Sequence, residues 1–309
     1  MEESLDVIVV GAGVAGLTAG RATSSLGLRT ACIEALMFGG LVVNVNELDP
    51  HAPGASSSGI DFASELMTDA VAAGMTSVAE TVVSIEPHND AYDVVCAESR
   101  HVARSVILAS GARLRRLGIP GEAEFEYRGV ASCADCDGPL YAGQDVVVVG
   151  GGDSALQEAL VLSRYCRQVY LVHRGSAYSG RANFIEAIGA RENVRTRWNS
   201  VVEEIRGDDQ VDKVVLRNTR DDRLETLHCG AVFAYVGLEP NVAYVPRDIT
   251  RDAGNRIITG DSLQTTWRGV FAAGAVRAGC GGLLVDAIAD GNLAAASAAA
   301  YLTRRGATV

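Results

Sequence analysis

The sequence predicts an α/β protein of two parallel-sheet units, the second inserted into the first. Three observations carry that expectation. An apolar run, a glycine cluster and then a helix-compatible segment recur three times, as Asp6-Val-Ile-Val-Val-Gly11-Ala-Gly13-Val-Ala-Gly16, Asp145-Val-Val-Val-Val-Gly150-Gly-Gly152-Asp-Ser-Ala155 and Gly269-Val-Phe-Ala-Ala-Gly274-Ala-Val. The runs lack polar alternation, as expected of strands buried on both faces of a parallel sheet. The length of 309 residues suits roughly two domains.

The elements follow in chain order. The first run is a strand that turns at Gly11 into a helix-compatible segment, and Cys32-Ile33-Glu34 ends the next strand. Ser77–Ile85, Tyr92–Ala97 and Ser105–Ala109 read as strands, the last running into Ser110-Gly111-Ala112. Ala112–Gly121, rich in Arg, Gly and Pro, reads as a linker. The second glycine unit opens at Asp145, and strands follow at Val169–Val172, Val201–Ile205, Lys213–Arg217 and Ala231–Tyr235. Gly237–Val245, with Pro240, is the return linker, and the Ala-rich Asp286–Leu302 is the last helix. The partition is therefore discontinuous: residues 1–113 and 245–309 form one Rossmann-like, three-layer ββα domain, and 114–244 form a second inserted into it.

Composition narrows the function classes. Hydrophobic residues make up 48% and charged ones 21%, an ordinary globular balance that excludes disorder. Glycine supplies 34 of the 309 residues without a three-residue period, which points to tight turns and close backbone approaches. A net charge of −11 without a long basic run argues against nucleic acid and anionic membrane as partners. The apolar runs are too short to span a bilayer, and the acidic start MEES is unlike a signal peptide, so a cytoplasmic protein is expected. Seven cysteines spread over a long chain do not form a secreted disulfide framework.

Gly11, Gly13 and Gly16 form a G-x-G-x-x-G between strand and helix, where the glycines allow close approach of a pyrophosphate to helix N–H groups. Glu34, 23 residues after Gly11, is placed to accept ribose hydroxyls. Gly150, Gly152, Asp153, Ser154 and Ala155 form the second fingerprint, whose next strand ends in His173-Arg174 where an acid would hold a free 2′-hydroxyl. A cation there suits a 2′-phosphate, hence NADPH over NADH, although Arg174 reads equally as a solvated surface charge. Two such sites imply one tightly held flavin and one diffusible nicotinamide. Cys133-Ala134-Asp135-Cys136 is the only C-x-x-C, and no second pair completes four zinc ligands, so no metal site is expected. Two cysteines three apart at a helix start can form a disulfide whose N-terminal thiolate is favoured by helix N–H groups. Asp137 beside them can protonate a leaving thiolate, or simply cap the helix. The other five cysteines read as inert thiols by default.

GAGVAG, Glu34, Gly39-Gly40, Ser110-Gly111, CADCDG, GGGDSA, VHR, Gly237…Pro240-Asn241 and GVFAAG span nearly the whole chain. In that order they resemble the low-molecular-weight, bacterial-type thioredoxin reductases, which are flavoprotein disulfide oxidoreductases. The resemblance implies FAD in the discontinuous domain, at Gly11, Gly13, Gly16, Glu34, Gly39, Gly40, Ser110, Gly111, Gly274 and Ala275. It implies NADPH in the insert, at Gly150, Gly152, Asp153, Ser154, Ala155, His173, Arg174 and, as a second cation, Arg181. It further implies a homodimer, a Cys133–Cys136 disulfide with Cys136 toward the flavin and Cys133 attacking the substrate, and Asp137 as proton donor. The expected electron path runs from NADPH through FAD and the disulfide to a thioredoxin-like protein or small-molecule disulfide.

Several positions depart from the family pattern. Ala275 stands where the family's G-V-F-A-A-G-D places an aspartate on the flavin, and Leu284-Val285-Asp286 replaces the usual Arg-Gln-Ala. Leu41 follows Gly39-Gly40 where glutamine is usual, and Gly175 reduces the usual arginine pair to Arg174. The alternative these changes raise is a flavin-dependent dithiol oxidase with oxygen as acceptor, or a reductase fed by a donor such as ferredoxin. Gly279-Cys280-Gly281-Gly282 receives no role.

Overall fold

The structure is a computed structural model that describes residues 5–45, 48 and 58–306. It divides into two compact units, Met1–Arg113 with Glu239–Val309, and Leu114–Leu238. The elements in chain order are β1 (Leu5–Val10), α1 (Val14–Ser25), β2 (Thr30–Glu34), α2 (Gly59–Ala72), β3 (Thr76–Ala79), β4 (Val82–His88), β5 (Ala91–Cys96), β6 (Arg100–Leu108) and β7 (Ala112–Leu114). The middle of the chain adds β8 (Val130–Ala131), α3 (Ala134–Asp137), β9 (Asp145–Val149), α4 (Asp153–Leu162), β10 (Gln168–His173), α5 (Ala182–Gly189), β11 (Val194–Trp198), β12 (Ser200–Gly207), β13 (Val211–Asn218), β14 (Leu224–His228) and β15 (Ala231–Ala234). β16 (Leu238–Pro240), β17 (Val270–Ala272) and α6 (Leu284–Gly306) complete it.

The first unit is built on one seven-stranded sheet in the order β3-β2-β1-β6-β5-β4, with β17 also pairing β6. β1, β2, β3, β17 and the second half of β6 run parallel, while β4, β5 and the first half of β6 form an antiparallel meander. Alternation along β1 separates two cores. Val7 and Val9 pack with Leu17, Phe62 and Ala294 on the helical face, whereas Ile8 and Val10 pack with Ile85 and Val94 of the meander. Each of these fully buried aliphatic side chains contributes about 1.5–3 kcal/mol. Helix α6 lies close against α1, since a Cβ on Gly291 would stand 2.5 Å from the Ala15 carbonyl oxygen.

The second unit repeats the three-layer scheme. Its five strands β11-β10-β9-β15-β8 are all parallel, and β12-β13-β14 form a separate antiparallel sheet. Val146 and Val148 of β9 face Leu156, Ala159 and Leu162 of α4, and Val147 and Val149 face Val202, Val214 and Leu216 of the antiparallel layer. Near the two ends of this unit the Arg115 N–H donates to the Gly237 carbonyl at 2.9 Å.

Two expectations differ from the structure. Ser77–Ile85 is not one strand: β3 runs parallel to β2, and β4 turns back antiparallel to β5. The break falls at Glu80-Thr81, where Glu80 accepts the Ser99 hydroxyl at 2.7 Å and the Glu98 N–H, and Thr81 accepts the Ala97 N–H. The return between units falls at Leu238/Glu239, ahead of residue 245, because Asn241 and Tyr244 hydrogen-bond Ser110 of the first unit. Among the described residues no helix is long and apolar enough to cross a membrane.

Candidate functional site

In the first unit, Gly11 follows β1, Glu34 ends β2, Ser110 follows β6 and Gly274 follows β17, so all four stand at the carboxyl ends of parallel strands, where open α/β sheets take their ligands. Gly11 has φ +102°, and a Cβ there would lie 2.6 Å from the Ala109 carbonyl oxygen; one on Gly16 would meet the Gly11 carbonyl at 1.8 Å. Around Gly13, in contrast, an added Cβ would find only the Gly39 carbonyl, at 4.0 Å. Gly13 is the N-cap of α1 and no side chain caps that end, so the first-turn amides face open space that fits a pyrophosphate.

Glu34 is fixed by two amides, accepting the Ala12 N–H at 2.9 Å and the Leu36 N–H at 3.1 Å. Each carboxylate oxygen keeps a lone pair for a hydroxyl donor, as a ribose requires. Gly39 closes the same cradle by donating its N–H to the Ala12 carbonyl at 2.7 Å, and Gly40 opens the single 3₁₀ turn that follows. Ser110 donates to the Asn241 carbonyl at 2.7 Å and accepts the Tyr244 hydroxyl at 2.9 Å. Gly111 accepts the Asn241 N–H.

Ala275 sits one residue after Gly274 in a short 3₁₀ turn. The nearby acid that the motif search missed is Asp290 of α6. It accepts the Gly274 N–H at 2.9 Å and both Arg277 Nε and Nη2 at 2.6 Å, with side chains only 8% and 14% exposed. Both Asp290 oxygens are thereby engaged in the unit's own turn. Its signal in the sequence is a single charged residue inside the mostly apolar stretch Ala287–Ala296.

The second unit carries a second cradle. The Gly150 N–H donates to the Val172 carbonyl at 3.0 Å, and Gly152 is the uncapped N-cap of α4, with only Ser179 Oγ, 3.8 Å away, near an added Cβ. Ser154 is exposed on the first turn and Ala155 is buried against the sheet. His173 lies over Gly151, where a Cβ would stand 2.3 Å from Nδ1, and Trp198 meets the His173 ring edge-on at 6.0 Å. Arg181 is drawn to Asp153, donating its N–H and its Nε at 2.7 Å each. Arg174 is exposed and makes no ion pair among the described residues. The loop after β10 also walls a cavity of about 500 Å³, whose aromatic side is Tyr178 and Trp198 with ring centres 4.4 Å apart.

Cys133 and Cys136 are joined in a disulfide at the start of α3, with Cα atoms 5.3 Å apart. Cys133 is itself the N-cap: its sulfur accepts the Cys136 N–H at 3.2 Å, and its carbonyl accepts the Asp137 N–H at 3.0 Å. Asp137 is the last residue of this short helix, so it does not cap the start. Burial pushes its carboxyl above the usual carboxylate range. Cys133 is buried, 8% exposed, and Cys136 is exposed. Burial also pushes the isolated thiols up, Cys32 and Cys229 to about 12 and Cys166 to about 11, which leaves them unreactive at neutral pH. Cys280 is half-buried.

Two residues near the disulfide escaped the sequence reading. Glu158 of α4 accepts the Ala134 N–H at 3.0 Å, and the Tyr235 hydroxyl lies 3.2 Å from both Glu158 Oε2 and the Ser132 carbonyl oxygen. Glu158 could have been noticed as an acid between Ala155, Ala159 and Leu162 on the buried side of the helix.

Two nucleotide cradles in one chain, one of them in a unit that also bears a cystine at a helix start, define the class as an FAD-dependent thiol–disulfide oxidoreductase. Residues 5–301 match the model of the family described as pyridine nucleotide-disulphide oxidoreductase. The chain is 38% identical to a thioredoxin reductase of Treponema pallidum (strain Nichols), with 98% of each chain covered. It is 36% identical to one from Listeria monocytogenes, covering 97% of this chain and 95% of that one. A crystal structure of Lactococcus lactis thioredoxin reductase superposes with a TM-score of 0.93 at 31% identity, covering 97% of this chain and 100% of that one. The chain belongs to the pyridine nucleotide-disulphide oxidoreductase family and, within it, to the low-molecular-weight thioredoxin reductases.

Proposed function

We propose that this protein reduces the disulfide of a thioredoxin-like protein with electrons from NADPH, through the Cys133–Cys136 pair. The observation that carries the reading is the bonded pair itself, with the buried Cys133 sulfur already accepting an amide N–H and the desolvated Asp137 one residue beyond Cys136. FAD, when bound, supplies hydride acceptance from NADPH and two-electron delivery to a disulfide. Gly11, Gly13, Gly16, Glu34, Gly39, Gly40, Ser110, Gly111, Gly274 and Ala275 are the residues we assign to it. Gly150, Gly152, Asp153, Ser154, Ala155, His173 and Arg174 are assigned to NADPH. Arg181 is a weaker member of that set, because Asp153 holds its guanidinium.

Cys136 is the exposed sulfur and the point at which two electrons enter. The S–S bond breaks, and Cys133 leaves as a thiolate stabilised by the Cys136 N–H. That thiolate attacks one sulfur of the substrate disulfide and forms a mixed disulfide. The expelled substrate thiolate takes its proton from Asp137, whose carboxyl is pushed by burial above the usual carboxylate range. Cys136, as a thiolate, then attacks Cys133, restores the internal disulfide and releases the second substrate sulfur as a thiolate that takes its proton from water, so two electrons and two protons reach the substrate. The resemblance also favours a homodimer, which light scattering measures directly.

The test is anaerobic mixing of the purified protein with NADPH, and separately with NADH, while flavin absorbance is followed. Rapid bleaching by NADPH is the expected result; bleaching by a dithiol alone sinks the reductase and supports a dithiol oxidase. That second reading draws on the pairing of Arg181 with Asp153, which leaves Arg174 as the exposed cation of this cradle without an ion pair among the described residues.

A further inference from the structure

Glu158 and Tyr235 bracket Cys133. The Glu158 carboxylate takes the N–H of the residue after the cysteine, Ala134, at 3.0 Å. The Tyr235 hydroxyl lies 3.2 Å from that same carboxylate oxygen and 3.2 Å from the carbonyl of the residue before the cysteine, Ser132. One acid and one phenol therefore stand against the peptide units on both sides of the sulfur, the single phenolic proton being shared between Glu158 Oε2 and the Ser132 carbonyl, while Cys136 is exposed. A half-buried carboxylate with no ion pair among the described residues is costly to keep, and an apolar residue would fill the same place between α3 and α4 more cheaply.

We propose that Glu158 is a positioning residue for the dithiol: it holds Cys133 still while the S–S bond opens and closes, and its negative charge makes the released thiolate more basic, which raises its intrinsic nucleophilicity and lowers its share at a given pH. The proposal rests on the reading of Cys133 as the attacking sulfur. Its chemistry needs no additional reactant, since Glu158 neither gains nor loses a bond in the exchange. A nearby anion disfavours a thiolate, and intrinsic nucleophilicity rises with thiol basicity. Several groups share this neighbourhood. Asp135 and Asp137 lie on α3, Tyr235 follows β15, and Tyr141 stands in the turn after α3. Burial raises the Glu158 carboxyl, and the hydrogen bonds from Ala134 and Tyr235 oppose that rise.

The experiment uses flavin-loaded full-length protein in a Cys136→Ser background, where Cys133 is a free thiol. Its alkylation by iodoacetamide is followed against pH, with mass spectrometry locating the label. Glu158→Gln keeps an acceptor for the Ala134 N–H but removes the charge. The Cys133 titration is expected to fall by about one unit. Below that titration the thiolate fraction then rises about tenfold, and the alkylation rate by only about threefold, because nucleophilicity falls with basicity. Tyr235→Phe is expected to shift the titration the opposite way, since it removes a donor that spreads the Glu158 charge. This variant also keeps the test open if Glu158→Gln does not fold. Opposite signs are what a purely structural role does not produce. An unchanged titration in both variants overturns the proposal. Disulfide reduction surviving in Cys133→Ser would instead overturn the function on which it rests, so the two failures are separable.

Discussion

The two glycine cradles share one supersecondary plan and differ at one strand end. In the first, β2 finishes in Glu34, a carboxylate held by the Ala12 and Leu36 amides. In the second, β10 finishes in His173 with Arg174 just beyond it, and the acid of that cradle, Asp153, is turned onto Arg181. The same strand–turn–helix frame thus presents an acceptor of hydroxyls in one unit and an exposed cation in the other. Fold alone does not choose a ligand; the residue at the tip of the second strand does. The units differ in chemistry too. The first has its polar groups committed to backbone and to one buried ion pair, which suits permanent retention, and the second carries the cystine and the desolvated acid, which suits exchange.

The largest expected break of this comparison is Gly11→Ala, which places a Cβ 2.6 Å from a carbonyl oxygen at φ +102°. Backbone strain of about 1–3 kcal/mol is expected, together with loss of bound flavin, read from the flavin-to-protein absorbance ratio and the Tm. The matched Gly152→Ala meets only Ser179 Oγ, at 3.8 Å, and should keep its flavin in full. Equal flavin loss in both variants would dissolve the distinction between the cradles.

Next in size is Asp137→Asn, expected to slow substrate disulfide exchange about 100-fold while leaving flavin reduction by NADPH intact in rapid-mixing experiments. The sign of its pH dependence follows from burial. Because the folded pKa is raised, the acid form persists above the ordinary carboxylate range, and exchange falls as pH rises through the raised value. Ionising this desolvated group also costs stability above that pH. The asparagine variant should therefore melt slightly higher than the parent at neutral pH, and at the same temperature below the ordinary carboxylate range.

Arg174→Ala should raise the KM for NADPH about tenfold with kcat unchanged and the NADH parameters unmoved, the size of one charge-assisted hydrogen bond to a 2′-phosphate. Equal effects on both nucleotides would return Arg174 to the role of a solvated surface charge. Smallest is Glu34→Gln, which keeps a single acceptor oxygen; the dissociation constant of FAD, measured by equilibrium dialysis, should rise about fivefold.

The parts of this molecule legible in its sequence are those where chemistry is local. Four consecutive apolar residues followed by glycine announce a buried parallel strand and its turn, because the reason for each residue lies within a few positions of it. The C-x-x-C pair announced itself for the same reason. Glu158 and Tyr235 lie 24 and 103 positions from the groups they bind, and only the stacking of α3 on α4 beside β15 brings them together. Asp290 is similar, since its meaning depends on α6 returning to the turn after β17. The break between β3 and β4 was hidden because Val78, Thr81, Val82, Val83 and Ile85 carry a strand signal on both sides of Glu80 and the reversal depends on Ser99 and Ala97 further along the chain. Ala275 shows the converse: a departure visible in sequence whose surroundings only the structure supplies.

The amide of Arg115 and the carbonyl of Gly237 meet at 2.9 Å, so the inserted unit begins and ends at nearly one point. Such a unit behaves as a cassette. Its ends impose almost no span on whatever chain receives it, and the host chain is interrupted at a single place. For an engineer, the segment Leu114–Leu238 is the natural piece to transplant between relatives, carrying the second glycine cradle and the dithiol together as one heritable package.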